Sequence, residues 1–551
     1  MTQADFGVLY GQKTTEDSLL IYSSYEDAKA SPQTGDFIVL TPKDESNTKY
    51  LARVEAEIYD EDPIFKSQDK TLIAVHYARI SERELSERDK QKMFSYTYKV
   101  RILGTFTDSG TTIKFTTAVR KLPTVSYIAR HLNKREIDSI INKTNENGVE
   151  IGHLCVGETV FKEKGPILFD INKLQNRRTM VFAQSGFGKT NLVKVILYHM
   201  VRKQEYGKLI FDLNGEYFSR GTSTYGLGDI DDPYIQDNVV VYTDKNLPPL
   251  YKGKFVNGGK VLLNMHVHLS VGDILSFGTG FSDVMKSFLL YLDEDGISNF
   301  IAKIDFYVNS PSALYRDFPD FFGEQKKTAK EQEKEDSSSR KTIMAIRKRI
   351  RHLIDEGRLH STKSNLVNDV FNYLKAGKTV IIDLSLKDNM DAGIISTVLV
   401  RELFEHNKKN FTSDVANEVI KTVIFVEEAQ NVLADEFVRS NANPFVRVAK
   451  EGRKFGLGLV AITQRPSAIS EEIRTQAENF FALHMGNSDD IKALVKSNIN
   501  YDGVIASFIQ RETIAGNLYM VSSDQAFALP VRVKGFEELV SSKIYPESKF
   551  P

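Results

Sequence analysis

Apolar positions along this chain change rhythm near residue 149. Before that point they come in short alternating or apolar runs broken by turn residues, the period-2 pattern of half-buried strands. The runs Phe6–Tyr10, Leu19–Tyr22, Asp36–Leu40, Tyr50–Tyr59, Thr71–Ile80, Tyr98–Phe106 and Thr112–Val119 are predicted strands. Turn signals such as Gln33-Thr34-Gly35-Asp36 and Asp108-Ser109-Gly110 separate them. Short strands at this spacing predict a small barrel over residues 1–125. A polar, helix-prone stretch, about Ser126 to Gly148, reads as a connector, bounded at 126–150.

From Val149 the pattern becomes α/β. Apolar runs at Met180–Ala183, Lys208–Phe211, Val239–Tyr242, Thr379–Leu384, Thr422–Val426 and Leu457–Thr463 alternate with helical periodicity. Near-continuous apolar strands predict a parallel sheet covered on both faces. The expected core comprises residues 151–266 and 377–515, interrupted by a mostly helical insertion at 267–376. That insertion contains a charge-dense stretch, Glu324–Arg340, read as a mobile surface segment. A hairpin, Asn517–Val521 with Phe527–Val533, and a tail fill residues 516–551.

Length changes this picture little: 551 residues exceed one compact core. No apolar run approaches the roughly 18 residues of a membrane span. The first residues lack the basic-then-apolar layout of a signal peptide. One cysteine, Cys155, leaves no intrachain disulfide, so a reducing cytoplasm is the expected location. The 72 basic and 73 acidic residues give a net charge of −1. This excludes a globally basic nucleic-acid binder but not a protein with basic groups gathered on one wall.

The chemistry begins at Ala183-Gln184-Ser185-Gly186-Phe187-Gly188-Lys189-Thr190, which follows an apolar strand and opens a helix. In that setting glycines let consecutive backbone N–H groups turn inward around phosphates, and the helix N-terminus adds partial positive charge. ATP with Mg²⁺ is the expected cofactor. Contacts are expected from Ser185, Gly186, Phe187, Gly188, Lys189, Thr190 and Asn191. Lys189 would reach the β- and γ-phosphates, and Thr190 the metal.

Thr422–Val426 is followed by Glu427 and Glu428 at the strand's C-terminal end, where open α/β sheets bind ligands. Glu427 is expected to hold Mg²⁺, through water, and Glu428 to activate the attacking water. The alternative is a pair of acids favouring the N-terminus of the next helix. Gln464 closes the strand Leu457–Thr463 and is a candidate γ-phosphate sensor. Arg453 is a candidate for reaching a neighbouring subunit's nucleotide, the alternative being a surface ion pair.

Several segments extend beyond a generic P-loop: Ile151-Gly152-His153-Leu154, Gln175-Asn176-Arg177-Arg178, Phe211-Asp212-Leu213-Asn214-Gly215-Glu216-Tyr217, Glu427-Glu428-Ala429-Gln430, and Gly452-Arg453-Lys454-Phe455-Gly456 leading to Thr463-Gln464-Arg465-Pro466-Ser467. In this order, over nearly the whole chain, they resemble the HerA family of hexameric DNA translocases, relatives of the FtsK motors. The fold implied is α/β: a RecA-like P-loop ATPase core with a helical insertion, preceded by a small N-terminal β-barrel. The resemblance implies a homo-hexameric ring threading double-stranded DNA, with ATP between subunits and no membrane. It gives trans-acting roles to Arg453 and to Arg177 or Arg178, with spacing from Ala183 favouring Arg177. Glu216 becomes a candidate contact near the γ-phosphate, or else a solvent-facing turn acid. It also implies a separate effector, a nuclease or a sirtuin-like NAD-consuming subunit, in DNA end processing or anti-phage defence. A scaffold whose nucleotide controls assembly, without sustained pumping, is the competing expectation. The sequence departs from the family at Gln430, where many relatives have histidine, and in its Glu-Glu pair, where they have Asp-Glu.

Three weaker signals remain. Arg340–Ile354 places Ile343, Ile346, Ile350, Leu353 and Ile354 on one helical face, with Lys341, Arg347, Lys348 and Arg351 elsewhere. It is either a DNA-touching helix or a solvated face. His266 and His268 alternate on an expected strand without further metal ligands in view. Cys155 reads as a small core or interface residue.

Overall fold

The computed structural model describes residues 5–12, 18–24, 32–43, 48–58, 95–108, 113–141, 148–156, 159–162, 165–219, 224–247, 251, 255–277, 281–293, 300–310, 312–317, 329–411, 418–440, 443–523 and 525–544. The expected strand Thr71–Ile80 lies outside them. The first strands are β1 (Asp5–Gln12), β2 (Ser18–Ser24), β3 (Phe37–Thr41), β4 (Thr48–Ile58), β5 (Ser95–Asp108), β6 (Ile113–Thr116) and β7 (Ile128–His131). They pair antiparallel in the order β2-β1-β7-β3-β4-β5, and β5 returns to β2, closing a six-stranded barrel. β6 extends the sheet from β5. Phe6, Ile21, Ile38, Leu40, Val54, Tyr98, Val100 and Ala129 fill the interior, while Tyr22 faces out by alternation from Ile21 and Val8 faces out beyond a register shift near the start of β1.

The stretch read as a connector therefore contains a barrel strand, β7, which joins β1 to β3. After β7 comes a helix, Lys134–Ile141, started by a reciprocal cap. The Glu136 N–H donates to Asn133 Oδ1 and the Asn133 N–H to Glu136 Oε2, each at 2.9 Å. The buried Glu136 carboxylate also takes two guanidinium bonds from Arg130 on β7, at 2.9 and 2.6 Å. A polar sequence here encodes a charge-assisted corner.

The remaining strands are β8 (Gly148–Val156), β9 (Thr159–Val160), β10 (Pro166–Asp170), β11 (Arg178–Phe182), β12 (Gly207–Asp212), β13 (Val239–Tyr242), β14 (Val256–Gly259), β15 (Thr379–Asp383), β16 (Thr422–Val426), β17 (Leu457–Thr463), β18 (Asn479–Ala482), β19 (Asn517–Ser522) and β20 (Gln525–Val533). The chain folds as two compact units. One comprises residues 1–170, 182–189 and 480–534, the other 171–181, 190–479 and 535–551.

The first unit holds the barrel and a sheet ordered β10-β8-β20-β19-β18, antiparallel at each pairing. Phe527 on β20 packs edge-on against Phe37 and Phe115, at ring-centroid separations of 5.6 and 5.9 Å. Cys155 is buried on β8, its thiol pushed up to about 12 by burial. It behaves as a small core residue.

The second unit contains the strand order β11-β17-β16-β12-β15-β13-β14, parallel at every pairing from β17 onward. Every residue of β12, β13, β15, β16 and β17 is buried, which is why those strands read as unbroken apolar runs. The chain is a mixed α/β protein with a closed N-terminal barrel and a sheet that is parallel through its central strands.

Between β14 and β15 lie helices Val271–Phe277, Asp283–Asp293, Phe300–Asn309, Ala329–Ile354 and Leu366–Lys375. Ile343, Ile346, Ile350 and Leu353 are buried while Lys341, Arg347, Lys348 and Arg351 are exposed, so the apolar stripe faces inward. Of the charge-dense stretch, residues 324–328 lie outside the described residues and 329–340 belong to the helix Ala329–Ile354. His266 and His268 sit in a helical turn, Met265–His268, rather than a strand, since two positions of alternation fit either geometry. They have separate partners: the His266 ring meets His360, and His268 Nδ1 lies 3.7 Å from Glu402. Among the described residues no helix is long and apolar enough to cross a membrane.

Candidate active site

Strand β11 is followed by a buried Ala183, and the helix Lys189–Met200 begins six residues after it. Gly186 and Gly188 turn the connection at φ +86° and +95°, left-handed values that favour glycine. A Cβ on Gly186 would meet nothing within 4 Å, so backbone conformation alone calls for glycine there. The loop is braced within the first unit. The Gln184 N–H donates to His484 O at 2.8 Å, and the Gly516 N–H to Phe187 O at 3.1 Å. The Phe187 ring packs against that of His484, tilted by 39° at a centroid separation of 4.1 Å. Ser185 and Gly186 are exposed, whereas Lys189, the first helical residue, is buried. Thr190 is half-buried one position on. The Asn191 carbonyl oxygen accepts the Phe536 N–H at 2.7 Å, so this expected nucleotide contact also anchors the C-terminal segment.

Within the second unit, β17 lies between β11 and β16. The structure brings Glu427, Glu428 and Gln464 together at the C-terminal ends of β16 and β17. Glu427 is buried, its Oε1 accepting the Tyr217 hydroxyl at 2.8 Å and its Oε2 the Asn214 amide at 3.3 Å. Tyr217 is itself buried, and burial followed by the Glu427 charge holds its hydroxyl well above the usual tyrosine range. It is a permanent donor. Asn214 and Tyr217 belong to a loop gathered by Asp212 at the end of β12. The Asp212 carboxylate accepts the N–H groups of Gly215, Glu216 and Tyr217 at 2.7, 3.1 and 2.9 Å. Glu216 is half-exposed in that loop.

Glu428 adopts φ +45°, uncommon for a residue with a side chain and a frequent mark of functional sites. Its Oε1 accepts from the Gln464 amide at 3.0 Å and its Oε2 from the Gln430 amide at 2.7 Å. The Thr463 hydroxyl donates in turn to Gln430 Oε1 at 2.5 Å.

Oxygen donors suit Mg²⁺, which prefers to keep several waters and bind phosphate oxygens. Glu427 supplies carboxylate oxygens and Thr190 a hydroxyl. Among the described residues no group of three or more His, Cys, Asp or Glu is placed to hold a metal. This sparse set fits an ion completed by phosphate and water.

The arginines form a second group. Arg178 donates to Ala449 O at 3.0 Å and Gln476 Oε1 at 2.6 Å, and lies 3.5 Å from Glu478 Oε1. Arg453 lies 4.0 Å from the same Glu478 oxygen, with a side chain 72% exposed. Arg177 is half-exposed, and its carbonyl accepts the Leu459 N–H at 2.9 Å. Arg178 is thus committed to its own chain.

Sequence reasoning passed over Tyr217, Asn214, Thr463 and His484. Tyr217 and Asn214 stood in a recognised segment without a role. His484 follows β18, whose four residues carried no strand signal.

A family model described as "Helicase HerA, central domain" matches residues 149–403. Another, for zonular occludens toxin, matches residues 336–491. A probable helicase of Methanocaldococcus jannaschii is 22% identical, over 86% of this chain and 81% of its own length. The DNA double-strand break repair helicase HerA of Sulfolobus acidocaldarius is 25% identical, over 62% of this chain and 63% of its own. Among solved structures, VirB4 of Thermoanaerobacter pseudethanolicus matches 71% of this chain and 97% of its own at 14% identity, with a TM-score of 0.43. The central-domain match takes in the phosphate loop, β12 with its Asp212-organised turn, and the helical insertion; over those residues the chain is similar to the central domain of HerA helicases.

Proposed function

We propose that this chain is an ATP-driven DNA motor, acting as a homo-hexameric ring on double-stranded DNA. The observation that carries it is the paired acids at the end of β16. One is buried and tethered by Tyr217, while the other is reached by an amide from the neighbouring strand. That division suits two tasks, a fixed carboxylate for a metal's water shell and a base near the reacting phosphate.

Bound ATP-Mg²⁺ supplies the transferable phosphoryl group and its charge neutralisation. Ser185, Gly186, Phe187, Gly188 and Asn191 would line the phosphates, Lys189 would offset their charge, and Thr190 with Glu427 would orient the metal's ligands. Glu428 would take the proton of the attacking water, and Gln464 would report the γ-phosphate. Arg453 and Arg177 would reach the nucleotide of the next subunit, since Arg178 is occupied at home. Names of the relatives, a DNA double-strand break repair helicase among them, support DNA as the track. An effector nuclease or sirtuin-like subunit, and a role in end processing or anti-phage defence, remain part of the proposal.

Lys189→Ala tests it. The variant should lose nucleotide binding and duplex-stimulated turnover together while native mass measurement still finds rings. Rings of Lys189→Ala that activate an effector normally would overturn the motor in favour of a nucleotide-controlled scaffold.

A further inference from the structure

We propose that Gln430 is a positioning residue for the reaction, clamping the Glu428 carboxylate to the end of β17. This rests on the reading of Glu428 as the base. Three observations support it. Glu428 sits in left-handed backbone geometry, so its side chain leaves the chain in a direction that ordinary strand or helix packing does not set. Its two oxygens are each met by a neutral amide, Gln430 at 2.7 Å and Gln464 at 3.0 Å. The clamp also has a defined polarity. The Arg465 N–H donates to Thr463 Oγ1 at 2.9 Å, leaving the Thr463 hydrogen for Gln430 Oε1 at 2.5 Å. With its oxygen so engaged, the Gln430 amide must present its nitrogen to Glu428.

Two of these groups, Thr463 and Gln464, come from β17, while Gln430 begins the helical turn after Glu428. The Ala429 N–H reinforces the same seam by donating to Ile462 O at 3.0 Å. Gln464 is the group expected to turn toward a bound γ-phosphate. When it leaves, the Gln430 amide still holds one Glu428 oxygen. An amide does this without titrating near neutral pH, whereas histidine at this position would bring a titrating group.

The test uses the full-length protein. Gln430→Met keeps length and removes the bond. It should lower kcat by about 10- to 100-fold, as expected for a misplaced catalytic group. Affinity for a fluorescent ADP analogue and the nucleotide-free melting temperature should both stay at wild-type values, as should KM for ATP. Gln430→His, whose ring N–H can donate, should recover most of the rate. Thr463→Val should be milder, and adding it to Gln430→Met should cost nothing more, because both act through one chain of bonds. A wild-type rate for Gln430→Met alongside an inactive Glu428→Gln would overturn the clamp. So would weakened ADP binding or a lowered melting temperature in Gln430→Met, or additive losses in the double variant. Full turnover by Glu428→Gln would instead bring down the base assignment itself, whatever Gln430 does.

Discussion

At Asp212 three backbone N–H groups converge on a carboxylate that water does not reach. Burial pushes its pKa up to about 6, against the pull of those N–H bonds, and the charge of Asp383 adds to the rise. The sign of the linkage follows. A carboxylate whose folded pKa exceeds its unfolded value of about 3.9 binds more protons when native than when unfolded between those limits. Its contribution to stability therefore declines as pH rises from about 4 through about 6. Asp212→Asn removes that titration, and its amide nitrogen faces one N–H that the carboxylate used to accept. The melting temperature of the wild type minus that of Asp212→Asn should fall steadily over this pH range. A difference independent of pH would show that Asp212 does not take up a proton there. Because Asp212 shapes the turn bearing Asn214 and Tyr217, its ionisation also bears on how firmly Glu427 is held.

Among the elements, the helix Ala329–Ile354 most directly tests whether the insertion is packed or merely attached. Ile346 is fully buried and Lys348 lies on the opposite, exposed face. Ile346→Ala should cost about 2–5 kcal/mol, the range for emptying a core site. Lys348→Glu should change stability by no more than about 0.5 kcal/mol. Amide exchange along the helix would report both. Equal effects would mean that the apolar stripe does not carry the packing. That stripe was legible in the sequence, as were β13, β16 and β17 to the residue, because strands buried on both faces are written as unbroken apolar runs. β7, β8, β10 and β18 were not. β7 is four residues with Arg130 and His131 among them, and its place is set by pairing with β1 and β3, which no local pattern encodes. Site residues followed the same division. Lys189, Glu427 and Glu428 stood in a recognisable order, whereas Tyr217 and Thr463 matter through partners 210 and 33 residues away.

At the scale of the assembled molecule, the question is whether the arginines serve their own nucleotide or a neighbour's. Arg453 is mostly exposed and its ion pair with Glu478 spans 4.0 Å, a weak contact easily exchanged for a phosphate. Arg178, held by Ala449, Gln476 and Glu478, fixes the backbone beside Arg177 without being free to move. Arginines acting between subunits make a prediction that no single-chain mechanism shares. Arg453→Ala should bind nucleotide normally and hydrolyse it about 10³-fold more slowly, at the low end for an arginine finger. Glu428→Gln should be equally inactive. Rings assembled from both variants must contain interfaces where an intact Glu428 faces an intact Arg453, so turnover should reappear on mixing and peak near equal proportions. Titrating one variant into the other and measuring phosphate release decides the matter: flat inactivity at every ratio, with mixed rings verified by native mass, would assign Arg453 to its own subunit.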